Sequence, residues 1–312
     1  MNQFTSGDVL ADRRAGYARM LSESGAFQEA AELMTQALEI ISGWAAGWFQ
    51  LADYEEKSGR IEAAIAALRQ AIKLDPEDVF GAGLKLAVLG ATEAPRTPPS
   101  RYVERLFDDY AGRFEKALVE KLQYSVPEKL LALIQSQVGG DYRFSRVTDL
   151  GCGTGLFGER IRPQAGVLEG FDLSLNMLAK AREKAIYDAL GHADLSLAPE
   201  ASGLFSADNP VQRSDLVAAA DVLIYLGDLS AVFTIAATLT APGGFLAFSV
   251  EEAGPADDFV LRHSLRYAHS PDHAGGLCFS HGFDMLKTER TTIRFDAGTP
   301  VSGVLFLARK RP

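Results

Sequence analysis

A short apolar run that ends in a cluster of glycines constrains this 312-residue chain more than any other feature. Residues 147–150 read Val-Thr-Asp-Leu, and Gly151, Gly153 and Gly155 follow them directly. Glycines at such a junction let the backbone turn sharply from a strand into a helix and approach a ligand closely. The pattern predicts an α/β fold with a ligand site at the carboxyl end of this strand.

Apolar runs and helical segments alternate along the rest of the chain after residue 146. Strands are predicted at residues 147–150, 167–172, 194–198, 215–220 and 245–250, and helices at residues 174–190 and 228–240. A turn is expected at residues 242–244, before the fifth strand. Residues 291–295 and 301–308 are separated by a short turn and therefore predict an antiparallel hairpin. Alternating strands and helices indicate a doubly wound, mostly parallel sheet.

The first 94 residues contain a repeat with a period of 34 residues. Gly25 and Gly59 occupy equivalent positions in the two copies, where glycine permits a tight turn between helices. We predict helix pairs over about residues 11–44 and 45–78, followed by a capping helix at 79–90.

A proline-rich stretch at residues 95–100 predicts a linker between two domains, 1–94 and 101–312. Two amphipathic segments follow it, at residues 101–123 and 127–138. We expect residues 101–138 to form lid helices at the start of the second domain.

Composition excludes several classes of protein. Acidic residues outnumber basic ones 41 to 31, and the net charge of −10 argues against nucleic-acid binding, which needs a basic surface. Two cysteines are too few for a disulfide framework. No signal peptide or membrane span is expected, so we predict a cytoplasmic location.

Two acids flank the glycine cluster. Asp149 stands at the end of the first strand, where it can face a cationic amino group. Asp172 ends the next strand, where a carboxylate can accept hydrogen bonds from ribose hydroxyls. Residues 153–158 also match the dinucleotide fingerprint, so an NAD-dependent oxidoreductase is an alternative. A single half of this kind, followed by an antiparallel hairpin, favours another class.

The segment Asp149-Leu-Gly151-Cys152-Gly153-Thr-Gly155 closely resembles motif I of the class I S-adenosylmethionine-dependent methyltransferases. The resemblance extends over about residues 102–309. It implies a Rossmann-like, seven-stranded, mostly parallel sheet with a C-terminal antiparallel hairpin, and S-adenosylmethionine as the cofactor. The 34-residue repeat resembles the tetratricopeptide repeat, an all-α unit. The combination is similar to bacterial methyltransferases that carry such repeats.

The resemblance also implies which residues bind the cofactor. Asp172 would contact the ribose, Met177 the adenine ring, and the segment around Tyr110 would fold over the cofactor. The implied cofactor-binding residues are Tyr110, Phe114, Asp149, Gly151, Cys152, Gly153, Gly155, Asp172, Leu173, Met177, Asp194, Leu195, Ala220 and Asp221.

The sequence gives a less specific signal for the residues that would bind the methyl acceptor. Tyr225, which follows the fourth strand, and His269 are weak candidates for a catalytic role. His273, Cys278 and His281 lie near His269 in spacings that could bind zinc. Pro271 and two glycines interrupt that stretch, so we expect a loop near the substrate site and no metal.

We therefore predict a methyltransferase that acts on an oxygen, nitrogen or carbon atom of a small molecule. One alternative is a protein methyltransferase recruited by its repeats, which could also mediate self-association. Another is a non-catalytic scaffold that binds S-adenosylmethionine. Motifs typical of base methylation are absent from the sequence, which argues against nucleic acid as the acceptor.

Overall fold

The computed structural model describes residues 5–110, 123–254, 257–296 and 298–312. The chain divides into two compact units. One comprises the residues up to Tyr102 together with His263–Leu265, and the other comprises Val103–Arg262 and Arg266–Pro312. The linker at residues 95–100 stays a prediction as a domain boundary.

The first unit is helical and contains the predicted helix pairs. Its helices are α1 (Val9–Glu23), α2 (Phe27–Ile40), α3 (Ala45–Lys57), α4 (Ile61–Leu74) and α5 (Ala82–Val88). Gly25 and Gly59 stand between paired helices at φ of +84° and +82°. Residues with a side chain rarely adopt this backbone conformation. Ala30 and Ala64 are fully buried, so that paired helices approach closely.

The second unit is built on a nine-stranded sheet among the described residues. Its strands are β1 (Phe144–Leu150), β2 (Ala165–Asp172), β3 (Ala189–His192), β4 (Ser214–Ala219), β5 (Thr240–Glu252), β6 (Phe259–Leu261), β7 (Tyr267–His269), β8 (Phe283–Asp296) and β9 (Thr299–Lys310). The helices are α6 (Ser100–Tyr110), which begins in the first unit, α7 (Val126–Val138), α8 (Leu156–Ile161), α9 (Leu175–Glu183), α10 (Ser230–Leu239) and α11 (Pro271–Ser280).

The sheet confirms the predicted architecture and extends it. Strands β3, β2, β1, β4 and β5 are parallel and adjacent in that order. Strand β9 pairs antiparallel with β5, and β8 pairs antiparallel with β9, which forms the predicted C-terminal hairpin. Strands β6 and β7 form a second hairpin, and β7 runs parallel to the last two residues of β5.

The predicted third strand at residues 194–198 is wrong, because the strand is Ala189–His192. The side chain of Asp194 instead accepts hydrogen bonds from the backbone N–H and hydroxyl of Ser196, which stabilises a turn. The helix predicted at residues 174–190 ends at Glu183, and Ala185 follows at a positive φ. Strand β3 lies at the edge of the sheet and its residues are partly exposed, so its apolar signal in the sequence is weak.

The loop expected over the stretch from His269 to His281 is also wrong. Strand β7 ends at His269, and helix α11 follows at Pro271–Ser280. Ser270 caps this helix. Pro271 fits in the first turn because a backbone N–H at that position would have no helical partner. The predicted turn at residues 242–244 lies inside β5, where the pairing with β4 is irregular.

Helix α7 packs in the core and not as a lid. Its residues Leu130, Leu133 and Ile134 are buried against β1, in a cluster that includes Phe144 and Val147. Helix α6 covers the first half of the segment predicted at residues 101–123, and residues 111–122 lie outside the described part of the chain. None of the helices in the described ranges has the length and apolar character of a membrane span.

Candidate functional site

The strand order places a crevice between β1 and β4. The chain winds from β1 to β2 and β3 on one side, and then crosses to β4 and β5 on the other. In open parallel sheets, ligands bind outside the carboxyl ends of the strands at this switch point. The glycine cluster follows β1, and Asp172 is the last residue of β2.

The glycine cluster forms a tight loop that leads into α8. Gly151, Gly153 and Gly155 all have positive φ values, of +62°, +54° and +94°. A Cβ on Gly151 would lie 2.5 Å from Val222 Cγ2, so a side chain there would clash. Cys152 is buried, and its backbone N–H donates to Phe171 O at 3.0 Å. The loop therefore holds its backbone at the edge of the crevice.

Asp172 connects β2 to this loop. Its Oδ2 accepts a hydrogen bond from Gly153 N at 2.8 Å, and its Oδ1 accepts one from Ser174 N at 2.8 Å. Burial raises the pKa of Asp172 to about 6, although these backbone hydrogen bonds favour the ionised form. Each carboxylate oxygen has a second lone pair, so Asp172 can also accept hydrogen bonds from a ligand.

Asp149 is a second buried acid at the carboxyl end of β1. The hydroxyl of Tyr187 donates to its Oδ2 at 2.7 Å. Burial raises the pKa of Asp149 to about 7, the Tyr187 hydrogen bond lowers it, and the charge of Asp172 raises it further. A cationic ligand group beside Asp149 would favour the ionised carboxylate. Sequence reasoning missed Tyr187, which has no motif of its own.

Other predicted cofactor residues differ in exposure. Met177 has no accessible surface, and its contact with the adenine ring stays a prediction. Leu173 and Asp194 are half-buried, and Leu195 is buried. Asp194 and Leu195 lie in the turn after β3 and not in the predicted strand.

A charged network lies beyond β4. Asp221 follows Ala220 after β4, has a φ of +59°, and donates its backbone N–H to Ser249 Oγ at 2.8 Å. Both of its carboxylate oxygens accept from Arg294 Nη1 at 3.1 Å. Burial raises the pKa of Asp221, and Arg294 opposes this change. Arg294 also pairs with Glu251, so the Asp221 carboxylate is already neutralised within the protein.

The two catalytic candidates occupy different environments. Tyr225 lies at the carboxyl edge, where its hydroxyl accepts a hydrogen bond from Arg266 Nε at 3.4 Å. His269 is fully buried, its Nε2 donates to Gly227 O at 3.0 Å, and burial lowers its pKa to about 4. The Nε2 of His269 is thus engaged within the protein, and its catalytic role stays a prediction.

The histidine and cysteine stretch does not form a metal cluster. His273 Nδ1 lies 3.2 Å from Asp258 Oδ1, and His281 Nδ1 lies 2.8 Å from Leu277 O. Cys278 is buried in the core. Across the described residues, no group of three or more His, Cys, Asp or Glu side chains could hold a metal ion.

Two consecutive residues of α6 contact both sides of the crevice. The Phe107 ring packs edge-to-face against Tyr225, with 4.8 Å between the ring centroids. Asp108 Oδ1 accepts a hydrogen bond from Ser174 Oγ at 2.6 Å, next to Asn176 at the start of α9. Predicted contacts from Phe114 and the Tyr110 side chain lie outside the described structure.

Comparisons with known proteins agree with this fold. Residues 114–287, more than half of the chain, match the methyltransferase-domain family, and residues 45–89 match the tetratricopeptide repeat. The structure is similar to 1,6-didemethyltoxoflavin-N1-methyltransferase of Burkholderia thailandensis, with a TM-score of 0.53 and 16% identity. The alignment covers 71% of this chain and 94% of that protein, and it supports the fold alone.

Curated relatives are similar over part of their length. A malonyl-[acyl-carrier protein] O-methyltransferase of Hamiltonella defensa is 29% identical over 144 residues, which cover 46% of this chain and 52% of the relative. A ubiquinone biosynthesis O-methyltransferase of Bordetella pertussis is 28% identical over 144 residues, covering 44% and 58%. The chain thus spans little more than half the length of these relatives.

Proposed function

This chain belongs to the methyltransferase-domain family, and from that premise we propose that it transfers a methyl group from S-adenosylmethionine to an oxygen nucleophile of a small molecule. The observation that carries the proposal is the pair of buried acids beside the glycine loop. In this proposal Asp149 would face the ammonium group of the cofactor, and Asp172 would accept hydrogen bonds from its ribose hydroxyls. The left-handed loop at Gly151 lets the backbone approach the cofactor without an intervening side chain.

The reaction requires the protein mainly to position the two reactants. S-adenosylmethionine supplies an activated methyl group on a sulfonium, and the reaction is an in-line displacement at that carbon. Proximity and orientation of the two reactants supply most of the rate enhancement in such a case. The crevice between β1 and β4 would hold the cofactor, and the residues beyond β4 would hold the acceptor.

The choice of oxygen rests on the relatives. The two reported above are both named as O-methyltransferases, one for malonyl-[acyl-carrier protein] and one for ubiquinone biosynthesis. Their similarity to this chain is partial, so neither substrate is transferred to it.

Titration calorimetry tests the cofactor first. We expect S-adenosylmethionine to bind and NADH not to bind, because Asp149 suits a cationic group and the sheet has a single nucleotide-binding half. Binding of NADH without binding of S-adenosylmethionine would contradict the proposal.

A radiolabelled methyl group then tests the acceptor. We expect incubation with cell extract to label small molecules. Label on a protein would favour the alternative that the tetratricopeptide repeats, which are helical pairs able to bind peptides, recruit a protein substrate. Cofactor binding without any transfer of label would indicate a scaffold.

A further inference from the structure

Arg266 brings a positive charge to the acceptor side of the crevice. It lies in the turn between β6 and β7, where Arg262 N donates to Arg266 O at 2.8 Å and Leu265 has a φ of +58°. Its Nε donates to the Tyr225 hydroxyl at 3.4 Å. Because Tyr225 follows β4, the inserted hairpin places a guanidinium beside the carboxyl edge of the sheet.

This guanidinium has unused hydrogen-bonding capacity. A guanidinium has five N–H donors, and Arg266 forms one long hydrogen bond to the described residues. Its closest carboxylate, Asp296 Oδ2, lies 4.0 Å from Nη1 and is mostly exposed. The Arg266 side chain is only 26% exposed, so much of its hydration is already lost. A partly desolvated cation of this kind favours an anionic partner.

Arg294, which also lies near Asp221, differs from Arg266 because it forms close ion pairs within the protein. It is almost fully buried, and its two Nη atoms contact the carboxylates of Asp221 and Glu251. Asp221 also attracts Arg266 electrostatically, but among the described residues it forms its hydrogen bonds with Arg294 and none with Arg266. Planar guanidinium groups bind carboxylates through two parallel N–H···O bonds.

Building on the proposed function, we propose that the methyl acceptor is a carboxylic acid, that Arg266 binds its carboxylate, and that the product is a methyl ester. Asp296 lies 4.0 Å from Arg266, and its charge would repel a dianionic phosphate more strongly than a singly charged carboxylate. The neighbouring rings of Tyr225 and Phe107 offer an apolar surface for the rest of the acid.

The transfer step balances without a proton. A lone pair of the carboxylate oxygen forms the bond to the methyl carbon while the carbon–sulfur bond breaks, and that bond's electron pair stays on sulfur. The anionic carboxylate and the cationic sulfonium become a neutral ester and a neutral thioether. No general base is required, which agrees with a buried His269 and an Asp221 held by Arg294. The neutral ester also loses its ionic attraction to Arg266 and can leave.

The test uses the full chain with radiolabelled S-adenosylmethionine and an ultrafiltered cell extract. Half of the extract is first treated with carbodiimide and an amine, which convert carboxylates to amides. We expect label that alkali releases as volatile methanol, from the untreated extract and not from the treated one. Alkali-stable label that survives the treatment would overturn the carboxylate proposal and leave the proposed function intact. No transfer at all, with the cofactor bound, would contradict the proposed function itself.

Variants test the role of Arg266. We expect Arg266→Gln to lower the rate of ester formation at limiting acceptor roughly 10- to 100-fold, since a charge-assisted hydrogen bond is lost. Arg266→Lys should recover part of this loss, because charge is kept without the planar fork. Arg262→Gln is the matched control on the same hairpin and should change the rate less than about threefold. S-adenosylhomocysteine affinity should be unchanged in all three. An equal loss in Arg262→Gln and Arg266→Gln would overturn the assignment.

Discussion

Asp149 and Asp172 are the residues whose chemistry depends most on where the fold places them. Both are exposed carboxylates in an unfolded chain, and burial raises their pKa values to about 7 and about 6 in the folded protein. The folded state therefore holds these protons more tightly than the unfolded state. The stability that this provides is complete below the ordinary pKa of a carboxyl group and is lost as the pH rises through 6 to 7.

We expect the cofactor-free protein to unfold at a lower temperature at about pH 8 than at about pH 5 because of these two acids. Asp149→Asn should reduce this dependence by at least about 1 kcal/mol, since a tenfold change in proton affinity is worth about 1.4 kcal/mol. Asp188→Asn is the control, because hydrogen bonds from Leu168 N and Arg162 lower the pKa of Asp188. Its contribution is lost as the pH falls. Thermal unfolding at both pH values measures the difference, and an unchanged dependence in Asp149→Asn would contradict the assignment.

Cofactor binding should report directly on Asp172. We expect Asp172→Ala to weaken S-adenosylhomocysteine binding roughly 10- to 150-fold. The substitution removes the carboxylate that accepts hydrogen bonds from Gly153 N and, in the proposal, from the ribose. Calorimetry measures the affinity, and circular dichroism checks that the fold is intact. Asp188→Ala, at an exposed carboxylate after α9, should bind normally. A loss of less than about threefold in Asp172→Ala would mean that another residue holds the ribose.

Helix α6 belongs to the predicted lid and contacts residues at the crevice. The sequence pattern predicts a lid over residues 101–138, whereas α7 is part of the core and α6 contacts residues at the crevice. Through Phe107 and Asp108 it touches the segments that follow β4 and β2. A helix held at these two points can cover a ligand bound between them.

We expect hydrogen exchange at residues 103–109 to slow when S-adenosylhomocysteine binds, because the closed helix excludes water from its amides. Asp108→Ala should reduce that protection, since it removes the acceptor of the Ser174 hydroxyl. Asp109→Ala, next to it on the exposed side, should behave as the native protein. Equal exchange with and without the ligand would show that α6 is not a lid.

At the scale of the whole molecule, each unit has its own hydrophobic core. One cluster contains residues between Ala11 and Leu86, and the other two contain residues from Val126 onwards. A unit that buries its own apolar side chains can in principle fold alone.

We therefore expect removal of residues 1–94 to leave a cooperatively folding domain that binds S-adenosylhomocysteine within about threefold of the full chain. The cut precedes α6, which begins at Ser100 and stays intact. Calorimetry and thermal unfolding measure both properties. A fragment that is insoluble or unfolds without a cooperative transition would show that the second unit depends on the repeats.

The sequence by itself determined the features that depend on local conformation. The glycine loop, the two acids that end β1 and β2, and the helix pairs turning at Gly25 and Gly59 follow from φ preferences and from the period of apolar residues. The same local rules fail where the signal is weak, as at β3, or where proline begins a helix, as at Pro271.

Only the tertiary structure decided which partners the polar groups have. Tyr187 meets Asp149, Arg266 meets Tyr225 and Arg294 meets Asp221 across 38, 41 and 73 residues of chain. No local pattern specifies such pairs, because they form when the sheet brings the carboxyl ends of separate strands to one edge. Burial then shifts the pKa values of these acids, and the pairing with Arg294 neutralises Asp221 within the protein.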